Sequence, residues 1–299
     1  MNKIIKSFFY IILYFSIMSF HSTADETKIK VGLLVPLTGD NAQIGKEVVK
    51  AVRLALKDLG NHQIEVYPKD TQSNANKTLA SAIELQKIGI NLVIGPVFYD
   101  SLTYLDEVSS ITFLSLTNKT LDLPDNVISS GINSTSQINT IKKFIELNEI
   151  KKSIILVPNL NYDLEIEKGI KDSKINIFRE YYYDIEPTKL TKQIEKITNY
   201  EVRKQNLIDE ITRLENSDDT NKKRKIENLK KKYTLGNLKF DSIIISDFDE
   251  SLKSVITSLL YTDVSPKDYY MITLNQWFDK SLFDETALHP IYYPSINKK

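Results

Sequence analysis

The chain has 299 residues, with 39 Lys/Arg balanced against 39 Asp/Glu, three His and no Cys. That balance excludes nucleic acid or an anionic membrane surface as the main partner, since both call for a net basic chain. Without Cys there is no disulfide, thiolate nucleophile or thiolate metal ligand, so the fold must rest on its own core.

Residues 1–24 read as a signal peptide. Lys3 and Lys6 form a basic start, Phe8 to Phe20 an apolar stretch, and Ser22-Thr23-Ala24 a small-residue cleavage site after Ala24. The alternative is an uncleaved anchor, because the apolar stretch is only a little shorter than a membrane span. No lipobox Cys follows, so a lipid anchor is not expected and the chain reads as a soluble exported protein.

Ile29 to Val35 is an apolar run that breaks at Pro36-Leu37-Thr38-Gly39-Asp40. A helix-period stretch follows to about Leu59, then a short strand Ile64 to Tyr67 ending near Asp70. Asp70 would cap the next helix or bond neighbouring loop amides. This strand–turn–helix–strand unit starts a parallel sheet, whose ligands gather at the carboxyl ends of the strands. Ser73-Asn74-Ala75-Asn76 predicts a cap for a helix from Lys77 to Ile88, with Leu79, Ile83, Leu85 and Ile88 on its buried side. A strand Asn91 to Ile94, a helix Ser101 to Val108, a strand Ile111 to Leu116 and an extended piece Val127 to Ser130 complete a first lobe over 28–131.

A second series predicts helix Ser136 to Leu147, strand Ser153 to Val157, helix Tyr162 to Asp172 and strand Ile175 to Tyr182. Strands Ser242 to Ser246 and Tyr269 to Thr273 flank a helix Glu250 to Leu260, giving a second lobe over 134–275 and a cleft between the lobes. Within it, 187–232 is charged and lacks Gly. Apolar residues at helical spacing on either side of Asn216 to Asn221 predict an αα-hairpin insert. Lys222 to Lys232 holds seven Lys/Arg and one Glu, read as a solvated helix face or as a docking arm for an acidic or membrane-associated partner.

No enzyme is predicted. His62 and His289 sit in predicted loops, Asp218-Asp219 on the polar turn of the insert, and no G-x-S-x-G, H-E-x-x-H or P-loop pattern occurs. No cofactor and no metal are expected.

The runs VGLLVPLTGDNAQIG, KDTQSNANKTLASAIELQ, LVIGPVFYDSL and FLSLTN resemble the type I periplasmic binding proteins, of which the leucine/isoleucine/valine-binding proteins are the best-known members. The later run FDSIIISD, with LLYTDVSPKDYYMITLNQWFDKSLFDETALHPIYYP, is similar to the penicillin-binding protein activator branch, where a charged helical insert precedes the FDSIIISD strand. The resemblance implies a two-lobed α/β fold of parallel sheets flanked by helices, hinged and closing on a small solute. Residues 276–299 would be a hinge-return segment and tail; the family continues past Ile291-Tyr292-Tyr293-Pro294, so the C-terminus reads as shortened.

The resemblance also implies the site. A ligand carboxylate would meet backbone N–H groups and hydroxyls in Pro96 to Asp100 and Ser115 to Asn118, where helix N-termini favour an anion. Thr117 keeps a hydroxyl beside Asn118, while Tyr99 stands in the place of the expected serine and narrows the pocket or stacks on a ligand. Asp100, next to it, disfavours a carboxylate unless it points away. Tyr162 matches an aromatic of the second lobe. Gln276 and Trp277 lie at the turn that in amino-acid receptors carries an acid for the ligand ammonium. Asn275 and Gln276 are uncharged, and an unpaired buried ammonium costs several kcal/mol, so a free α-amino acid is not the expected ligand. The plainer roles are lobe-interface packing for Tyr99, Tyr162 and Trp277, and turn capping for Thr117 and Asn118. The expected function is non-catalytic periplasmic binding of a small solute or partner, as receptor for an ABC-type amino-acid or amide permease. The alternative is an activator contacting a peptidoglycan synthase.

Overall fold

The computed structural model describes residues 28–60, 63–160, 162–274 and 286–295. The chain packs as two compact units. The first holds the described residues up to Leu116 with Pro124–Ile128; the second holds Thr117–Leu123 and the described residues from Ser129 onward.

The first unit contains β1 (Ile29–Val35), α1 (Ala42–Leu59), β2 (Ile64–Asp70), α2 (Ala75–Lys87), β3 (Leu92–Ile94), β4 (Thr112–Ser115) and β5 (Val127–Ser129). The sheet order is β2-β1-β3-β4-β5, with β1 parallel to β2 and β3, and β3 parallel to β4. Leu33, Leu34 and Val35 are fully enclosed, as a near-continuous apolar run requires of a parallel strand covered on both faces. α1 starts directly against the preceding loop. A Cβ on Gly45 would lie 1.9 Å from the Pro36 carbonyl oxygen, so only glycine fits there.

Two readings in this unit are corrected. The cap is Asn74, whose side chain accepts the Lys77 N–H, but α2 buries Thr78, Ala82 and Leu85 while Ile88 is exposed. Short side chains let the helix lie close on the sheet, which moves the buried stripe by about a quarter turn. The helix expected from Ser101 to Val108 is instead two 3-10 turns, Tyr99–Leu102 and Leu105–Val108. Leu102, Leu105 and Val108 are all buried, and their spacing of three is the repeat of a 3-10 helix.

The second unit contains α3 (Ser134–Leu147), β6 (Ser153–Pro158), α4 (Asp163–Ser173), β7 (Arg179–Tyr183), α5 (Pro187–Ile197), α6 (Tyr200–Glu215), α7 (Lys222–Leu229), β8 (Ser242–Ile245), α8 (Asp249–Tyr261), β9 (Tyr270–Thr273) and β10 (Ile291–Tyr292). Its sheet order is β10-β9-β8-β6-β7, parallel throughout. The two-residue period of a strand sorts the core. Ile154, Leu156, Ile243 and Ile245 join Leu190, Ile194, Val255 and Leu259 on one face. Ile155, Val157 and Ile244 join Ile138, Ile141 and Ile166 on the other.

The strand expected from Ile175 begins only at Arg179, because Ile175 and Ile177 pack as loop residues against α3 and α4. The segment expected as a two-helix insert is three helices. α5 is an ordinary crossover helix that buries Leu190 and Ile194, and only α6 and α7 form the hairpin. Arg203 anchors it. Its guanidinium donates to the carbonyls of Thr262 at 3.1 Å and Asp263 at 3.3 Å and to the Thr234 hydroxyl at 2.7 Å.

Candidate ligand-binding site

Parallel strands ending in short loops place polar residues at the carboxyl edge of each sheet, and in the second unit that edge is hollowed. A cavity of about 160 Å³ is lined by Asn118, Lys119, Ser134, Tyr162, Glu165, Ile166, Ser246, Phe248 and Leu274. Each element supplies a named part. The β6–α4 loop brings Tyr162 at the start of α4, and the end of β8 brings Ser246 and Phe248. Ile166 and Leu274 extend the core beneath the floor. The rings of Tyr162 and Phe248 lie 5.7 Å apart at 38°, forming an aromatic wall.

Under that wall lies Asp247, buried and without a cationic partner among the described residues. It is held by donors instead. The Tyr183 hydroxyl reaches Oδ2 at 2.5 Å, the Ser251 hydroxyl reaches Oδ2 at 2.5 Å, and the Phe248 N–H reaches Oδ1 at 2.9 Å. The Tyr162 hydroxyl sits further off, 3.3 Å from Oδ1 and 3.4 Å from the Ser246 carbonyl oxygen. Burial first, then the Asp247 charge, pushes both phenols well above their ordinary value, so both remain protonated donors.

Glu165, in the first turn of α4, fixes the other wall. Oε1 accepts the N–H groups of Thr120 and Leu121 at 2.8 and 2.9 Å, and Oε2 accepts the Thr120 hydroxyl at 2.7 Å. This clamp ties 117–123 to the second unit and spends both carboxylate oxygens on the backbone and a hydroxyl. Lys119 and Asn118 thereby sit on the rim as a cation and an amide.

Of the residues expected to bind, Asn118 and Tyr162 line this one cavity. Thr117 is buried beside it, where its hydroxyl accepts the Lys119 N–H at 3.2 Å and its carbonyl the Ser129 hydroxyl at 2.8 Å, the geometry of a capped turn. Tyr99 belongs to the first unit, half-buried in the 3-10 turn after β3. Asn275, Gln276 and Trp277 lie outside the described residues. Sequence reasoning passed over Lys119, Glu165, Asp247 and Phe248. The Ser246-Asp247-Phe248 end of an isoleucine strand was a usable signal; Glu165, on a predicted helix, carried none.

In the first unit, Asp70 plays the role expected of it. At the end of β2 its Oδ1 accepts the N–H groups of Leu37 at 2.7 Å and Gln72 at 3.0 Å, and its Oδ2 the Thr38 hydroxyl at 2.5 Å. Burial raises its pKa, but these donors together outweigh burial and hold it below the ordinary carboxylate value.

Two parallel α/β sheets, with a small polar and aromatic hollow at the strand ends of the second, define the class of two-sheet α/β binding proteins. Residues 28–200 match the family model described as periplasmic binding protein, and the chain belongs to that family. No curated sequence matches it. Among solved structures it is similar to the LpoA (YraM) C-domain from Haemophilus influenzae, a regulator of PBP1A, at TM-score 0.58 and 14% identity over 87% of this chain and 69% of that one. Full-length LpoA from the same organism gives TM-score 0.57 at 14% identity, and this chain, 87% covered, spans 41% of it. A solute-binding protein of an ABC transporter from Rhodopseudomonas palustris BisB5, in complex with 3,4-dihydroxy benzoic acid, gives TM-score 0.41 at 15% identity, over 83% of this chain and 62% of that one. At such identities the likeness to LpoA is one of fold.

Proposed function

We propose that the chain is a non-catalytic binding protein, exported to the periplasm with its leader cleaved after Ala24, that takes a small solute in the second unit's cavity. The observation that carries this is the cavity itself. An aromatic pair, Tyr162 and Phe248, faces a rim with Lys119 and Asn118, while both nearby carboxylates are already occupied by donors. Such a site suits a compact planar or apolar body with an amide or carboxylate head. For an ammonium it is the poorer match, because Lys119 lies on the rim and the Glu165 and Asp247 oxygens already accept donors. At about 160 Å³ it is smaller than the ~300 Å³ at which drug-sized pockets begin, so the solute has few heavy atoms. The receptor of an ABC-type permease is the role that follows.

A second reading, a regulator touching a peptidoglycan synthase, is favoured by the basic stretch Lys222 to Lys232 and by the fold likeness to an LpoA regulator domain. A thermal-shift screen of the secreted chain against amides, small carboxylates, amino acids and cell-wall fragments separates the two. A true ligand at ~100 times its dissociation constant stabilises by about 2.7 kcal/mol, and Tyr162→Ala should abolish that shift. No shift with any compound, together with capture of a purified synthase, removes the receptor reading.

A further inference from the structure

β7 is the last strand of the second sheet, and among the described residues no strand pairs with its outer side. Such an edge is normally blocked, because its unpaired N–H and C=O groups recruit another chain. Phe178, Arg179, Tyr181 and Tyr182, at and within β7, also line a cavity of about 390 Å³, bounded further by α5 and the residues leading into β8. Three cations, Arg179, Lys196 and Lys239, line that cavity with no carboxylate among its walls, and Phe178, Tyr181 and Phe240 supply aromatic faces. Arg179 lies over the rings of Phe178 at 5.8 Å and Tyr181 at 5.9 Å, while Lys196 and Lys239 have no ion-pair partner among the described residues. Tyr182 also lines the cavity, and its hydroxyl donates to Glu167 at 2.8 Å and to Glu180 at 3.5 Å, so two acids stand beside that wall with a donor already in place.

We propose that this edge and cavity form a docking groove for an acidic, extended peptide segment of a partner protein, taken up as an added strand beside β7. The strand edge satisfies the peptide backbone, and alternate side chains on one face of the added strand meet Arg179, Lys196 and Lys239. A small anion would use the cations and leave the edge unpaired, so the extended chain uses more of what is present. The cavity is walled by β7, α5 and the approach to β8 and shares no residue with the solute cavity, so the proposal holds whichever reading of that cavity is correct.

Fluorescence anisotropy tests this with three labelled octapeptides on the full chain: alternating Val and Glu, alternating Val and Lys, and alternating Pro and Glu. The Val–Glu peptide should bind. The Val–Lys peptide should not, and the Pro–Glu peptide, with equal charge but a backbone that cannot complete a strand ladder, should bind at least ~10-fold more weakly. Arg179→Glu and Lys239→Glu, both at solvent-accessible positions, should each weaken Val–Glu binding by about 10-fold, the step expected of a lost charge contact, with the circular dichroism spectrum unchanged. Equal binding of the Val–Glu and Pro–Glu peptides, no binding of either, or full binding by both charge-reversal variants overturns the proposal.

Discussion

Asp247 and the two phenols above it show how residue-level chemistry shapes the cavity. A buried carboxylate with no cation survives only if hydrogen bonds replace its lost hydration. Tyr183, fully enclosed, makes the short bond to Oδ2, whereas Tyr162 is only partly buried and its bonds are long. Tyr183→Phe should therefore cost about 1.5–3 kcal/mol, the range for a hydrogen bond to a charged group, and Tyr162→Phe less than about 1 kcal/mol. Urea midpoints would rank them, and equal losses would mean that the network does not lean on Tyr183. Asp70 gives a pH-dependent counterpart. Its folded pKa is depressed, so its contribution is present above about pH 4 and fades as pH falls through the folded value. Asp70→Asn should lose about 1–2 kcal/mol at neutral pH, and the gap to wild type should close on acidification. A gap constant down to about pH 2 would contradict the loop-amide role.

At the scale of elements, Arg203 decides whether the α6–α7 hairpin belongs to the second unit or merely projects from it. It is 6% exposed and donates to three different stretches of chain, whereas α7 buries no residue at all. Arg203→Met should strip partners from buried carbonyls and cost more than about 2 kcal/mol, while Lys223→Glu on α7 stays within about 0.5 kcal/mol. Thermal unfolding of the two variants checks this, and similar melting temperatures would show that the anchor is elsewhere. The same elements show what the sequence could reveal. β1 and α1 were legible because an apolar run and a 3.6-residue period need no distant information. The three-residue spacing of Leu102, Leu105 and Val108 fits an α-helix nearly as well as a 3-10 turn, so that pair was misread. Glu165 and Asp247 were invisible as site builders because their partners are remote, 45 positions away for Thr120 and 64 for Tyr183. Tyr162 and Asn118 came from the resemblance, not from periodicity.

For the whole molecule, net charge conceals an uneven distribution. Lys222 to Lys232 carries seven basic residues and one acid, which leaves 32 basic against 38 acidic residues over the rest of the chain. The eight residues of α7 alone span roughly 12 Å, more than the ~10 Å screening length at 0.1 M salt, so a surface facing this stretch feels its local charge before the compensating acids. A molecule with pI near 6.9 and evenly mixed charge would pass a cation exchanger at pH 7; this one should be retained at low salt and released as salt rises. Reversing Lys223, Arg224 and Lys231 to Glu should abolish retention. Reversing Lys46, Lys57 and Lys87, exposed residues of the first unit's α1 and α2, makes the same change in net charge and should largely preserve it. If both triple variants elute together, retention follows total charge alone and the basic stretch has no separate role in attracting an acidic partner.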